Sequence, residues 1–278
     1  MAFRTMATVI DTDPGCRARI ELAARMAHCH AAHLIAILAD GGGRTPLRDL
    51  FAPAGAAARA AELGAAADAA RGWLRALIPD TSELRPEAGD PVEAVLRHAR
   101  HADLLVLPRG DEADSGNLPA DLASRVLLHA GRPLLVLPAG CAIAPQPRHA
   151  LVAWDGSRAA TRALADALPL LAQAQRVDLL CVETSHEDLF SRLEINDLRQ
   201  ALQRQDVECG LLHVPADGAL QDSPVARVVD AILDTARRSG CDLLVMGAYG
   251  HSPALERVLG GVTQRVLARS PVAMLTSH

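Results

Sequence analysis

The sequence contains no lysine: all 28 of its Lys or Arg positions are arginine. A phosphate loop built around a lysine ammonium is therefore absent, which excludes the P-loop enzymes. Aromatic side chains make up only 2% of the 278 residues, so the cores must be assembled from Ala, Leu and Val, and base-stacking platforms are missing. Nor is there an excess of positive charge. The net charge is -5 and the pI near 6.1, which argues against a nucleic-acid partner. No run approaches the roughly 18 uninterrupted apolar residues of a membrane span. The N-terminal MAFRTMATVIDTD lacks an apolar signal core with a small-residue cleavage site, so a cytoplasmic protein is expected. The cysteines (Cys16, Cys29, Cys141, Cys181, Cys209 and Cys241) form no CxxC, which fits reduced, mostly buried thiols rather than a disulfide frame or a zinc site.

What the chain does have is a repeat. DPVEAVLRHARHADLLVLPRG (90–110) resembles SPVARVVDAILDTARRSGCDLLVMGAYG (223–250), and RVLLHAGRPLLVLP (125–138) resembles RVLARSPVAML (265–275). This implies a tandem duplication, with domains at 1–140 and 149–278 joined by the proline-bearing AGCAIAPQPR (139–148). In the second copy, strands are expected at 150–154, 177–182, 210–214, 242–246 and 272–275, and helices at 159–172, 193–205, 225–238 and 262–268. Continuously apolar strands alternating with helices define an α/β protein of two tandem open parallel-sheet sandwich domains, about five strands each. Such sheets bind ligands at the carboxyl ends of their strands.

The stretch MGAYGHSPALERVLGGVTQRVL (246–267) follows one of those strands. Gly260 and Gly261 precede a helix opening at Val262, where unpaired first-turn amides and the positive dipole end make a seat for an anion. On the strand side, Gly247 and Gly250 turn the chain sharply, and positive φ is expected there. Between the glycine clusters, Ser252 can cap a short helix from Pro253. In its order, strand, Gly-x-x-Gly, nine residues, Gly, helix, the stretch resembles the universal stress proteins, whose nucleotide-binding members continue with Gly-Ser or Gly-Thr. Gly247, Gly250 and Gly260 match, 251–259 are the nine residues, and WDGS (154–157) is similar to the family's Asp-Gly-Ser after the first strand.

The resemblance spans nearly the whole chain as two tandem domains. It implies a Rossmann-like, adenine nucleotide alpha hydrolase-like fold, a role in stress response, and ATP as ligand, with magnesium accompanying the phosphates. Asp155 would meet the ribose or adenine side and Val182 would lie against the base; Met246, Gly247, Gly250, Gly260, Gly261, Val262 and Thr263 would line the phosphates and sugar. A carboxylate suits a ribose hydroxyl because it accepts what that hydroxyl donates, although Asp-Gly-Ser is also ordinary turn and cap chemistry. One departure is Gly261, where the family pattern has a hydroxyl. A lost hydrogen bond to a charged partner is worth about 1.5–3 kcal/mol, or tenfold and more in affinity. Thr263 could supply a hydroxyl instead, and Trp154 could crowd the base pocket.

The first copy differs. Aligning its DLLV with that of the second puts Pro108 opposite Gly247, Asp111 opposite Gly250, and Ala120 and Asp121 opposite the glycine pair. Proline offers no amide, and Asp111, Glu112, Asp114 and Asp121 bring like charge to a phosphate site, so this domain is not expected to bind nucleotide. Asp11 keeps the strand-end carboxylate, but TDPGC (12–16) replaces Gly-Ser. In HCHAAH (28–33), His30 and His33 could share a helix face and a metal, but without further ligands a helix-end role for these histidines is favoured. ADSG (113–116) lacks the serine-hydrolase elbow, and DTDPG (11–15) makes a poor phosphate loop for an adenylate-transferring enzyme. No catalytic constellation emerges, so slow ATP hydrolysis is the most expected. The alternative is a nucleotide-free tandem scaffold, and the closing strands could join two chains as a homodimer.

Overall fold

The computed structural model of the chain describes residues 2–39, 53–110, 118–141, 143–183, 192–216, 223–249 and 261–278. The chain divides into two units, Ala2–Gly140 and Cys141–His278. The first runs β1 (Thr5–Ile10), α1 (Cys16–His30), β2 (His33–Ala39), α2 (Pro53–Leu77), β3 (Ser82–Glu87), α3 (Pro91–Ala99), β4 (Leu104–Pro108), α4 (Leu122–Ala130) and β5 (Leu134–Leu137). Its sheet is parallel, in the order β3-β2-β1-β4-β5. The second runs β6 (His149–Ala153), α5 (Arg158–Leu171), β7 (Arg176–Glu183), α6 (Arg192–Gln203), β8 (Cys209–Pro215), α7 (Pro224–Ser239), β9 (Leu243–Gly247), α8 (Val262–Arg269) and β10 (Ala273–Ser277). It repeats the order as β8-β7-β6-β9-β10, again parallel. The chain is thus an α/β protein with two parallel-sheet units.

The local chemistry explains these elements. In β4 and β9 the runs LLVL and LLVM are buried throughout, as strands covered on both faces require. Helices start where a side chain caps them: Asp90 accepts from the amides of Val92 and Glu93, and Ser223 from that of Ala226, each with proline next in line. The β6-to-β7 and β8-to-β9 connections run in opposite directions along the sheet. Right-handed crossovers therefore put α5 and α6 on one face and α7 and α8 on the other. An Arg269–Asp230 pair at 2.9 Å ties α8 to α7.

At the amino edge both units use one device. Asp103 Oδ2 accepts from the amides of Arg4 and Thr5 at 2.8 and 3.0 Å, and Asp242 accepts from those of Arg148 and His149 at 3.0 and 2.9 Å. Each carboxylate fastens the start of its neighbouring strand. In the second unit His149 adds a buried bridge, its ring nitrogens 2.9 Å from Asp178 Oδ2 and 3.2 Å from the Ser239 carbonyl.

His28 and His30 lie in the last turn of α1, the helix-end role favoured for them, and the helix face that His30 and His33 could have shared does not form. His30 ends α1, Ala31 turns with φ 52° and His33 opens β2. The His30 ring packs on Phe3 with centroids 4.9 Å apart, and His33 Nε2 lies 3.2 Å from Glu83 Oε1. Among the described residues there is no metal-ligating group of three side chains, and no helix is long and apolar enough to cross a membrane.

Candidate functional site

In the second unit β6 and β9 are neighbours, with Ala153 beside Met246, and the chain departs from them in opposite directions. This is the switch point where a doubly wound sheet opens a crevice at its carboxyl edge. Asp155 stands there, two residues beyond β6 and exposed. Its Oδ1 accepts the Ser157 amide at 2.9 Å, and Ser157 Oγ accepts that of Ala160 at 3.1 Å, so turn and cap together start α5. The half-buried Trp154 donates its amide to the Leu180 carbonyl at 2.8 Å, extending the β6–β7 ladder. Val182, next to last in β7, is half-buried. Beside it, burial and then the Glu183 charge push the Cys181 thiol up to about 11, so this thiol stays protonated near neutral pH.

Met246 is buried and Gly247 ends β9. The expected positive φ at Gly247 is not found; the turn is made at Tyr249, with φ 54°. Gly247 is needed for a different reason. A Cβ there would fall 2.5 Å from the Ala159 carbonyl carbon and 2.9 Å from its Cβ, and nearer still to the Ala160 amide nitrogen. Helix α5 therefore begins directly against the end of β9. Two residues on, the Tyr249 amide donates to Thr263 Oγ1 at 3.2 Å, and Thr263 is buried in the first turn of α8. This clasp joins the chain before Gly250 to the chain after Gly260. Gly250 and Gly260, with Ser252 and Pro253, lie outside the described residues.

Gly261 is the N-cap of α8, with φ -55° and ψ 169° and no side-chain capping bond. Among the described residues nothing accepts from the amides of Val262, Thr263 and Gln264. These donors carry the positive end of the helix dipole, the arrangement that suits an anion.

The first unit has the same frame, with a buried ion pair at the end of β1. Met6 pairs with Leu104 as Ala150 pairs with Leu243, which sets Asp11 level with Asp155. Asp11 is buried, and its Oδ2 takes an ion pair from the equally buried Arg19 at 2.7 Å; Arg19 also donates to the Val9 carbonyl at 3.2 Å. Counted from the helix N-caps, Gly15 and Ser157, the counterpart of Arg19 is the exposed Thr161. Pro108 closes β4, and a Cβ on Gly110 would overlap the backbone of Ala120. The first α4 amide, that of Leu122, is taken by the Pro119 carbonyl at 3.0 Å, beside the exposed Asp121. Asp111, Glu112 and Asp114 lie outside the described residues. Cys16, at the start of α1, likewise stays protonated near neutral pH, since burial pushes its thiol up to about 11.

Sequence reasoning missed Arg19 and Tyr249. The available signals were an arginine on the buried α1 stripe of Cys16, Ile20, Ala23 and Ala27, and a lone tyrosine between two loop glycines.

A doubly wound α/β unit with uncapped helix amides and an exposed strand-end carboxylate at its switch point belongs to the class of nucleotide-type folds. The universal stress protein family model matches residues 147–278, and these residues, the second unit, belong to that family. A universal stress protein of Mycobacterium tuberculosis is 29% identical over 195 residues, a match that covers 66% of this chain and 64% of that relative's length. The crystal structure of a universal stress protein from Archaeoglobus fulgidus aligns with 98% of this chain and 95% of its own, with a TM-score of 0.68 and 17% identity. One of a putative universal stress protein from Pseudomonas aeruginosa covers 99% and 93%, with a TM-score of 0.58 and 13% identity. At those identities the two structures speak to the fold, which they share across both units.

Proposed function

We propose that the second unit, residues 149–278, binds an adenine nucleotide, ATP with magnesium, in the crevice between the Asp155 turn and the segment from Met246 to Thr263. The first unit, residues 1–140, is a nucleotide-free relative of it. The observation that carries this reading is the α8 N-terminus, whose first amides have no acceptor among the described residues, at the same sheet edge as an exposed carboxylate. The amides would receive phosphate oxygens, Asp155 would accept from a ribose hydroxyl, and Val182 would lie against the base. Magnesium would neutralise the phosphates it arrives with. The reading assigns binding and, at most, slow hydrolysis, since the crevice pairs no activated nucleophile with a base among the described residues. Residence in the cytoplasm, a role in stress response and self-association belong to the same proposal.

The test is a titration of the purified protein with ATP and magnesium, together with adenine absorbance released on heat denaturation. Micromolar binding is expected, weakened about tenfold in Asp155→Ala and tightened by a similar factor in Gly261→Ser, which restores a hydroxyl. Absence of both release and binding sinks the cofactor reading and leaves a nucleotide-free scaffold.

A further inference from the structure

A pocket of about 350 Å³ opens in the second unit, lined by Arg158, Ala159, Arg162, Tyr249 and His278. It lies on the α5 side of the β9 end and shares Tyr249 with the segment that borders the crevice assigned to nucleotide. Its floor is the first turns of α5, and α5 lies on the sheet face opposite α8. Between them Gly247 presses on Ala159 and Ala160 with no room for a methyl group.

Two guanidiniums face this pocket, one of them already paired with a carboxylate. Arg158 and Arg162 are four residues apart on α5, so their side chains are neighbours, and no acidic residue occupies the first turn of that helix. Arg158 has no hydrogen-bond or ion-pair partner among the described residues. Arg162 is held in place: its Nε donates to Asp166 Oδ2 at 2.8 Å, and Ser277 Oγ donates to the same oxygen at 2.9 Å. The opposite wall is a fixed aromatic pair. Tyr249 and His278 meet edge to face with centroids 5.7 Å apart, and His278 Nδ1 lies 3.1 Å from the Ala248 carbonyl.

We propose that this pocket is a second anion site that takes a phosphate monoester of a small aromatic or apolar group. The two guanidiniums grip the phosphate oxygens, and the Tyr249–His278 pair packs on the organic part. Nothing in this assignment requires the nucleotide crevice to be occupied.

The test is a calorimetric titration of the full chain with phenyl phosphate, and in parallel with inorganic phosphate. Millimolar or tighter binding of phenyl phosphate is expected, stronger than that of inorganic phosphate. It should weaken about tenfold or more in Arg158→Gln, an exposed position that leaves folding intact, and persist in the presence of ATP and magnesium. Absence of millimolar binding, or equal binding by parent and Arg158→Gln, overturns the proposal. So does displacement of phenyl phosphate by ATP and magnesium, which would put the ester in the nucleotide crevice. Failure of ATP to bind while phenyl phosphate still responds to Arg158 would sink the nucleotide reading alone and uphold this one.

Discussion

Gly247→Ala separates two explanations of a glycine that a motif assigns to ligand binding. The new methyl would lie 2.5 Å from the Ala159 carbonyl carbon and 2.9 Å from its Cβ, where carbon atoms ordinarily rest about 3.5–4.0 Å apart. Both obstacles belong to the opening turn of α5, so no rotamer change relieves the overlap; the helix start and the strand end must part by about 1 Å. Overpacking of this kind costs up to about 3 kcal/mol, which lowers the melting temperature of a unit this size by roughly 10 °C. Urea denaturation followed through Trp154, the one tryptophan of this unit, measures the loss, and ATP titration runs alongside. Gly261→Ser serves as the control, because φ -55° accepts any residue and serine is a good N-cap. An unchanged denaturation midpoint in Gly247→Ala would refute the close contact. Full stability with abolished ATP binding would return the glycine to the ligand.

Arg19→Met should destabilise the first unit by about 3–5 kcal/mol, because it strands the Asp11 carboxylate without its partner. Adding Asp11→Leu should recover most of that loss, and a double variant no better than the single would show the two residues are not coupled. Burial holds His30 below its ordinary 6.5, so the unfolded chain takes up the proton first. Its contribution is therefore complete above pH 6.5 and is lost as pH falls through the folded value. His30→Phe should flatten the decline in stability between about pH 7 and 5, and a slope as steep as the parent's would count against it. With burial raising the thiols of Cys16, Cys181 and Cys241 to about 11, a maleimide at mildly alkaline pH should label the exposed Cys29 first. Equal labelling of all four in the folded protein would contradict their burial.

The strands were legible because burial on both faces leaves an unbroken apolar signature: the expected strand at 242–246 is β9 to within a residue at each end. The turn and cap chemistry of Asp-Gly-Ser was legible too, where Ser157 is the N-cap of α5 and Asp155 accepts the Ser157 amide. Pairings between elements were not. That Arg19 reaches Asp11 depends on which stripe of α1 faces β1, and a charged residue on that stripe is seen as such only once the helix is docked. The glycine pattern pointed to the carboxyl edge, yet the neighbour that makes Gly247 obligatory is α5, nearly ninety residues away in sequence. The Thr263 hydroxyl accepts the Tyr249 amide, a contact between two ends of a loop that no local pattern encodes. His33 fell in a strand because Ala31 ends the helix in a left-handed turn without glycine.

The aspartate clasps at the amino edge, Asp103 on Arg4 and Thr5 and Asp242 on Arg148 and His149, have a consequence for how a duplicated chain can diverge. Each sheet is stapled at the rim farthest from its crevice, by a residue that takes no part in what happens there. One copy could thus bury its strand-end aspartate against an arginine while its hinge end kept the original stitch, and the loops at either mouth can be rewritten without unpicking the frame beneath.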